Sequence, residues 1–403
     1  MSLLSNKHIL LGITGSIAAY KAAELASKLT QAGVQVDGIL SPAAEKFITA
    51  LSIQSVTGRK AFTDADLWGG EAHVLHVGLG QSADLLVIAP CTANTLGKLA
   101  HGIADNLLTI TALAMRSSIL IAPAMDAGMY DNPATQENVR ILSARGIRFA
   151  GPDEGHMASG LSGLGRMVEP VELLGHIRFA LGAGGRLAGK KVVVTAGGTQ
   201  EPLDPVRMLT NRSSGKQGYA IAQAALDAGG SVVLISAPTD LKPPVGAKTI
   251  PVRTAQEMQE IVLAESAGAD ALVMAAAVAD FRPRRVAETK LKKRDGIPQI
   301  EIEETEDILL AVAGMGPRKP GVVIGFAAES KDLLKNAGIK LHAKKLDMVV
   351  ANDISAQDAG FGVDTNRVTL LFSNANKEIL PLMNKSEVAE AIITHLGVLL
   401  ENR

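Results

Sequence analysis

A single cysteine, Cys91, among 403 residues leaves no partner for an intrachain disulfide and rules out a cysteine metal cage, which suits a reducing compartment. Aromatic residues are equally scarce, at 3% of the chain. A core made without them draws on Val, Ile, Leu and Ala, as buried parallel strands do, and not on the aromatic packing of a β-sandwich. Charge of either sign is not in excess: 40 Lys and Arg stand against 41 Asp and Glu, a net charge of −1. That excludes a domain-wide electrostatic grip on nucleic acid or anionic lipid, so any basic cluster acts locally. No apolar run approaches the length of a membrane span, and no basic segment followed by an apolar one and a cleavage site opens the chain. The expectation is a cytoplasmic protein with no membrane or nucleic-acid partner.

What is present is length, 40 glycines and a 47% hydrophobic content. The length calls for two or three domains, and the chain starts twice. First, the apolar strand His8 to Gly12 enters Gly12-Ile-Thr-Gly15-Ser16 and a helix with Ala19, Ala22, Ala23, Leu25, Ala26 and Leu29 at helical spacing. Then, after the glycine-rich stretch 182–189, Val192 to Thr195 leads through a loop with paired glycines to Asn211-Arg-Ser-Ser-Gly215 and the helix Tyr219 to Ala228. Strands are expected at Val34 to Leu40, Leu85 to Pro90, Ser118 to Met125, Val232 to Ser236, Ala271 to Ala276, Gly321 to Phe326 and Met348 to Ala351, with helices between. This is the pattern of two doubly wound, Rossmann-like α/β domains with mainly parallel sheets, the first flavodoxin-like: residues 1–181, a linker 182–189, and 190–403.

Both openings present a helix N-terminus, whose unpartnered N–H groups and dipole attract an anion. Neither is a nucleotide fingerprint of the common kinds. Gly12 and Gly15 lack the third glycine of a dinucleotide site, and Ser41, a hydroxyl, stands where an acid would hold a ribose, so NAD is disfavoured and a single phosphate is favoured. Around Lys216 no glycine lies five residues before Gly215, and Gln217 replaces the Ser or Thr of a Walker loop. In an open parallel sheet the loops after Pro90 and after Pro123 converge with Gly15 and Ser16 on one crevice. The stretch Gly155 to Arg166 reads as too glycine-rich for a regular element and as a lid.

Residues 5–175 resemble the flavin-dependent cysteine decarboxylases through Gly15-Ser-Ile-Ala-Ala-Tyr-Lys21, His76-Val-Gly-Leu, Pro90-Cys-Thr-Ala-Asn-Thr95 and Pro123-Ala-Met-Asp-Ala-Gly-Met-Tyr130. The resemblance implies FMN held by Gly15, Ser16, Ser41, Thr92, Ala93, Asn94 and Thr95, His76 as base, and Met129 against the substrate. FMN in such enzymes takes electrons from a cysteinyl thiol, which makes the carboxylate labile, and returns them, with no net redox. From the residues alone, a histidine beside apolar side chains is more often structural, and His73 is as good a choice as His76. Cys91 has no base or cation beside it in sequence and reads as a buried hydrophobe. The family commonly has Asn at the position of Asp126 and Cys at that of Ser159. Asp126 and Ser159 therefore imply either redistributed proton chemistry, with a protonated Asp126 as donor, or a disabled site.

Residues 190–400 resemble the ligase half of the bifunctional phosphopantothenoylcysteine decarboxylase / phosphopantothenate-cysteine ligases of coenzyme A biosynthesis. The resemblance rests on TAGGTQEPLDPVR with TNRSSGKQG, Ala275-Ala-Ala-Val-Ala-Asp280, Lys290-Leu-Lys-Lys293, Gly325-Phe-Ala-Ala-Glu329 and Ala351-Asn-Asp-Ile354. It implies that CTP activates the carboxylate of 4′-phosphopantothenate as an acyl-cytidylate, which cysteine's amine then attacks. The nucleotide positions implied are Gly197, Gly198, Ser213, Ser214, Gly215, Ala275, Ala276, Asp280, Lys290, Glu306, Asp307, Ile308, Leu309, Phe326, Lys340 and Lys344. Asn211 and Arg207 would hold the substrate, Lys290 would neutralise phosphate charge, and Asp280 would order the nucleotide or Mg2+. Read singly, KLKK is a solvated charged face and Asn211 a helix cap. The family further implies a homo-oligomer with trimeric contacts in the flavin half and dimeric contacts in the ligase half. The alternatives are an active ligase with a non-catalytic flavin scaffold, and a dehydrogenase of two dinucleotide domains.

Overall fold

The structure, a computed structural model, describes residues 3–68, 74–157, 160, 162–293, 298–329, 332–353 and 362–403. The chain divides into two compact units, Met1–Gly182 and Ala183–Arg403.

The first unit is a parallel sheet in the order Ala61–Phe62, Gln35–Leu40, His8–Ile13, Leu85–Cys91, Ser118–Pro123, Arg148–Phe149. With the two-residue edge strand Ala61–Phe62 set aside, the order is the flavodoxin-like 2-1-3-4-5. Leu85–Cys91 is buried along its whole length, because helices cover both faces of the sheet. On one face Leu25 and Leu29 of helix Tyr20–Gln31 and Leu173 and Ile177 of helix Pro170–Gly182 meet Ile9, Leu11 and Val87. On the other, Leu96, Leu107, Leu108 and Leu142 meet Leu10, Leu86 and Ile88. Each such fully buried side chain contributes about 1.5–3 kcal/mol relative to exposure.

The glycine-rich stretch is regular where it is described, contrary to the sequence reading: Asp153–His156 pairs antiparallel with Ser162–Arg166. Its glycines serve contact. Gly165 accepts the Met125 N–H at 2.9 Å, and a Cβ on Gly165 would come within 2.3 Å of the Met125 carbonyl oxygen.

The second unit carries an eight-stranded sheet. Six parallel strands run in the order Lys248–Pro251, Ser231–Ser236, Lys191–Ala196, Ala271–Met274, Val322–Glu329, Met348–Asp353, and antiparallel strands Val368–Phe372 and Lys377–Ile379 follow at the edge. Helices Lys216–Asp227 and Lys385–Glu401 pack against each other. Three small antiparallel pairs stand outside the sheet among the described residues, Gln200–Pro202 with Met208–Thr210, Phe281–Pro283 with Ile302–Glu304, and Thr365–Asn366 with Met383–Asn384.

The expected linker needs correction. Gly182 closes the last helix of the first unit, and from Ala183 the chain belongs to the second. Leu187 is buried there, and its N–H donates to the Ala228 carbonyl at 2.7 Å. The glycines that suggested a linker allow this packing, since a Cβ on Gly185 would come within 2.4 Å of the same carbonyl oxygen.

Candidate functional site

In the first unit the C-terminal ends of the strands are tied together by Thr14. Its hydroxyl donates to the Pro90 carbonyl at 2.7 Å and accepts the Thr92 N–H at 3.0 Å. Around this link three hydroxyls cap helical turns: Ser16 accepts from Ala18, Ser41 from Ala44, and Thr92 from Thr95, each at 3.3 Å. Each hydroxyl uses a lone pair in its cap, which leaves the protons of Ser16 and Ser41 to be donated to an anion, while Thr92 and Thr95 share a hydroxyl–hydroxyl bond of 3.2 Å that leaves one proton of the pair to donate. Ala93 and Asn94 open the helix Ala93–His101, with Asn94 exposed. Hydroxyl donors beside helix N-termini fit a single phosphate group, the donor set a flavin mononucleotide requires.

The loop after Ser118–Pro123 presents Asp126, which caps the short helix Ala127–Tyr130 by accepting the Gly128 N–H at 3.0 Å. Met129 lies on that helix, half exposed. The Gly165 contact to Met125 fixes the hairpin to the same loop. His76 is on helix Leu75–Ser82, and its Nδ1 is buried without a hydrogen-bond partner among the described residues. A buried imidazole nitrogen with no partner is costly to keep unless a ligand or a reacting group meets it. Ser159 and His73 lie outside the described residues. Cys91 is buried, and burial pushes its thiol far above the range in which a thiolate forms.

The second unit contains a cleft of about 820 Å³ at the C-terminal ends of its parallel strands. One wall is the turn 211–215 and the first turn of helix Lys216–Asp227. Gly215 is the N-cap, with φ +74°, a left-handed conformation that favours glycine, and it supplies no side-chain cap. The helix's first N–H groups thus have no intrahelical partner beside the cleft. The opposite wall is 306–309, Phe326, Lys340 and Lys344. Asp307 caps helix Ile308–Ala313 by accepting the Leu310 N–H at 3.1 Å, and Lys340 Nζ donates to the Phe326 carbonyl at 2.6 Å. Between the walls lie Ala275, Ala276 and Asp280, with Asp280 exposed. Asn211 Nδ2 donates to the carbonyls of Ala277 and Val278, at 3.3 and 3.1 Å, and so holds the turn to this strap.

The cleft brings together Asn211, Ser213, Ser214, Gly215, Ala275, Ala276, Asp280, 306–309, Phe326, Lys340 and Lys344. Four other positions are not on its lining. Gly197 and Gly198 lie behind it, where Gly197 accepts the Ala277 N–H at 2.8 Å and Gly198 bridges Ala277. Arg207 and the exposed Lys290 stand together elsewhere, with Arg207 Nη2 donating to the Leu291 carbonyl at 2.9 Å. Among the described residues no group of three or more His, Cys, Asp or Glu is placed to hold a metal ion, and no helix is long and apolar enough to cross a membrane.

Sequence reasoning missed Gln217, Asn352, Asn366 and Lys385, which also line the cleft. The Gln217 amide donates to the Lys385 carbonyl at 3.2 Å, and the Asn366 amide to Gln217 at 3.5 Å. Lys385 is buried and donates to the Val363 carbonyl at 2.5 Å. The one signal for it was the capping box Asn384 to Glu387, which starts a helix there.

The family described as Flavoprotein matches residues 2–181, and that described as the DNA/pantothenate metabolism flavoprotein C-terminal domain matches 187–399. The coenzyme A biosynthesis bifunctional protein CoaBC of Bacillus subtilis (strain 168) is 43% identical over 400 residues, 98% of each chain. The chain belongs to this family of bifunctional coenzyme A biosynthesis proteins. The CoaBC of Vibrio vulnificus (strain CMCP6) is 41% identical over 402 residues, 99% of this chain and 100% of that one. A solved C-terminal domain of a CoaBC is 39% identical and covers 54% of this chain and 99% of its own, with a TM-score of 0.47. Membership makes the chain a bifunctional enzyme, with a phosphopantothenoylcysteine decarboxylase in its flavoprotein unit and a ligase in the other.

Proposed function

We propose that the second unit binds CTP across its cleft, activates the carboxylate of 4′-phosphopantothenate as an acyl-cytidylate with loss of pyrophosphate, and passes the acyl group to the amine of cysteine. The flavin unit then converts 4′-phosphopantothenoylcysteine to 4′-phosphopantetheine and carbon dioxide, with FMN held by Ser16, Ser41, Thr92, Thr95 and the turns around them. The observation that carries the reading is the cleft itself: an uncapped helix N-terminus faces two lysines and an aromatic ring across a space of nucleotide size. Triphosphate against Ser213 to Gly215 and base against 306–309 and Phe326 follow from that arrangement. Asp280, exposed between the walls, would share Mg2+ with phosphate oxygens.

In the flavin unit His76 would act as base, and Asp126, with Ser159, would supply the proton that a flap thiol gives elsewhere in the family. Arg207 and Lys290 are proposed to reach the substrate and the phosphates from outside the cleft lining. Exposed apolar side chains on the small antiparallel pairs, Leu209, Phe281 and Ile302, and Val206 in the turn that joins the first pair, support dimeric contacts in the ligase unit. Ile17, Tyr20 and Leu51 support the trimeric contacts proposed for the flavin unit.

The test is single-turnover decarboxylation by the FMN-loaded protein, following carbon dioxide and flavin absorbance together, beside a ligase assay with CTP and with ATP. Turnover to 4′-phosphopantetheine and a preference for CTP are expected. Bound flavin with neither reduction nor carbon dioxide would instead make the flavin unit a scaffold.

A further inference from the structure

The Asp204 side chain is completely buried, yet it belongs to a polar turn beside a basic segment. It has three backbone partners. Oδ1 accepts the N–H groups of Val206 and Arg207, both at 2.8 Å, which closes the turn on itself. Oδ2 accepts the Leu291 N–H at 3.2 Å, a residue 87 positions away. Arg207 completes the ring: Nη2 donates to the Leu291 carbonyl at 2.9 Å, and Nη1 stands 3.8 Å from Asp204 Oδ2. One further bond, from the Ala287 N–H to the Leu203 carbonyl at 3.0 Å, holds the same strand of chain at its other end. Burial would push the Asp204 carboxyl up, but the three amides and the Arg207 charge hold it below the usual range.

Lys290 sits between these anchors, exposed, and Lys292 and Lys293 follow it. Three cations in four residues repel one another, so side-chain charge alone would not keep this segment in one place. A backbone clasp does not depend on those charges, and its energy comes from charge-assisted bonds to a buried carboxylate.

We propose that Asp204 is a positioning residue for Lys290: its carboxylate clasps the Leu291 backbone to the turn that carries Arg207, and so presents Lys290 from a fixed point. The inference rests on the reading of Lys290 as a phosphate-neutralising residue. Asn in place of Asp204 can still accept at one atom, but it turns an NH2 group toward an N–H at the other. The clasp is then lost on one side while the volume is kept.

The test uses the full-length FMN-loaded protein and three variants, Asp204→Asn, Lys290→Gln and the double variant. Asp204→Asn is expected to lower ligase kcat about tenfold with KM for cysteine within about twofold, because orientation and not cysteine binding is affected. Limited trypsin digestion after Lys290, Lys292 and Lys293 is expected to quicken about tenfold, as local opening exposes the chain. The double variant should lose no more than Lys290→Gln alone, since both changes act through one residue. A further loss in the double variant, or an Asp204→Asn protein with wild-type turnover and wild-type cleavage, overturns the proposal. If Lys290→Gln alone keeps full turnover, the role through Lys290 is overturned at its premise, and quickened cleavage in Asp204→Asn then isolates that failure from the clasp. Should Asp204→Asn not fold, Leu291→Pro removes the same N–H from the other side and is read by cleavage after Lys292 and Lys293, since a proline at 291 blocks trypsin after Lys290.

Discussion

Lys344 Nζ lies 2.6 Å from Asp307 Oδ2 and thereby joins the end of helix Leu333–Ala343 to the start of helix Ile308–Ala313 at the cleft wall. Burial pushes the Asp307 carboxyl up, but the Lys344 hydrogen bond, the Leu310 amide and the charges of Lys344 and Lys340 hold it below its usual value. Asp307 is thus ionised at neutral pH, and it fixes Lys344 beside the space assigned to the nucleotide. Lys344→Met keeps the helix cap and removes the cation. The expected result is a rise in KM for CTP of about tenfold, about 1.4 kcal/mol, with kcat changed much less. Steady-state ligase kinetics at two salt concentrations check it, because an ionic contact weakens as salt rises.

The docking of the hairpin on the Asp126 loop depends on Gly165. A Cβ there would meet the Met125 carbonyl oxygen at 2.3 Å, a contact that no side-chain rotation relieves, so backbone must move. Gly165→Val is expected to cut decarboxylation at least about tenfold while the ligase, in a separate compact unit, keeps its rate. Both activities measured on one preparation decide the matter. Equal loss of both would mean general unfolding and not a displaced hairpin.

The inner parallel strands were legible because they are buried on both faces and read as continuous apolar runs, whereas the short parallel edge strands Ala61–Phe62, Arg148–Phe149 and Lys248–Pro251 were not expected. Leu85 to Pro90 and Val232 to Ser236 fall within a residue of the observed Leu85–Cys91 and Ser231–Ser236. The antiparallel strand Val368–Phe372 and the edge strand Lys377–Ile379 beside it escaped, the second being exposed throughout and built of Lys, Glu and Ile without an apolar pattern. The hairpin escaped for the opposite reason: its glycines signal close packing on another loop, which composition cannot distinguish from irregular chain. In the cleft, contiguous motifs such as 306–309 could be read from the sequence. Asn352, Asn366 and Lys385 could not, because each comes singly from a different strand end or helix start, and only folding brings them to one cleft, Asn366 and Lys385 against Gln217.

Asp126 offers a direct test of the redistributed proton chemistry. Asp126→Ala removes both the carboxyl group and the cap on Ala127–Tyr130, the latter costing about 1 kcal/mol. Asp126→Asn keeps the cap acceptor and installs the amide more usual in the family. If the carboxyl donates the proton, both variants lose decarboxylation, by about tenfold or more, while FMN content stays at wild type. Wild-type rates in Asp126→Ala would sink the assignment, and loss in Asp126→Ala alone would reduce the residue to a cap.

At the opposite end of the flavin unit's sheet, His8, Asp37 and Arg59 form a half-buried cluster that predicts a pH dependence of stability. His8 Nε2 lies 2.7 Å from Asp37 Oδ2, and Arg59 reaches both carboxylate oxygens, at 2.7 and 3.0 Å. The hydrogen bond with Asp37 raises the His8 pKa above 6.5, against the effect of burial and with help from the Ser82 carbonyl. Burial raises that of Asp37, but the bonds from His8 and Arg59 outweigh it and leave it below 3.8. A raised histidine contributes stability that is fully present below its unfolded pKa and is lost as pH rises through the folded value. A depressed carboxylate contributes stability present above its unfolded pKa and lost as pH falls through the folded one. Both contributions coincide only between the two unfolded values, so the cluster stabilises most in mildly acidic solution. His8→Gln is expected to destabilise the flavin unit by about 1.5–3 kcal/mol at about pH 5.5, and by progressively less toward about pH 8.5. Urea unfolding of the full-length protein across that range, followed through flavin release, measures the difference directly. A penalty that stays constant with pH would show that His8 acts there as a neutral hydrogen-bonding group and that the protonated pair with Asp37 contributes nothing.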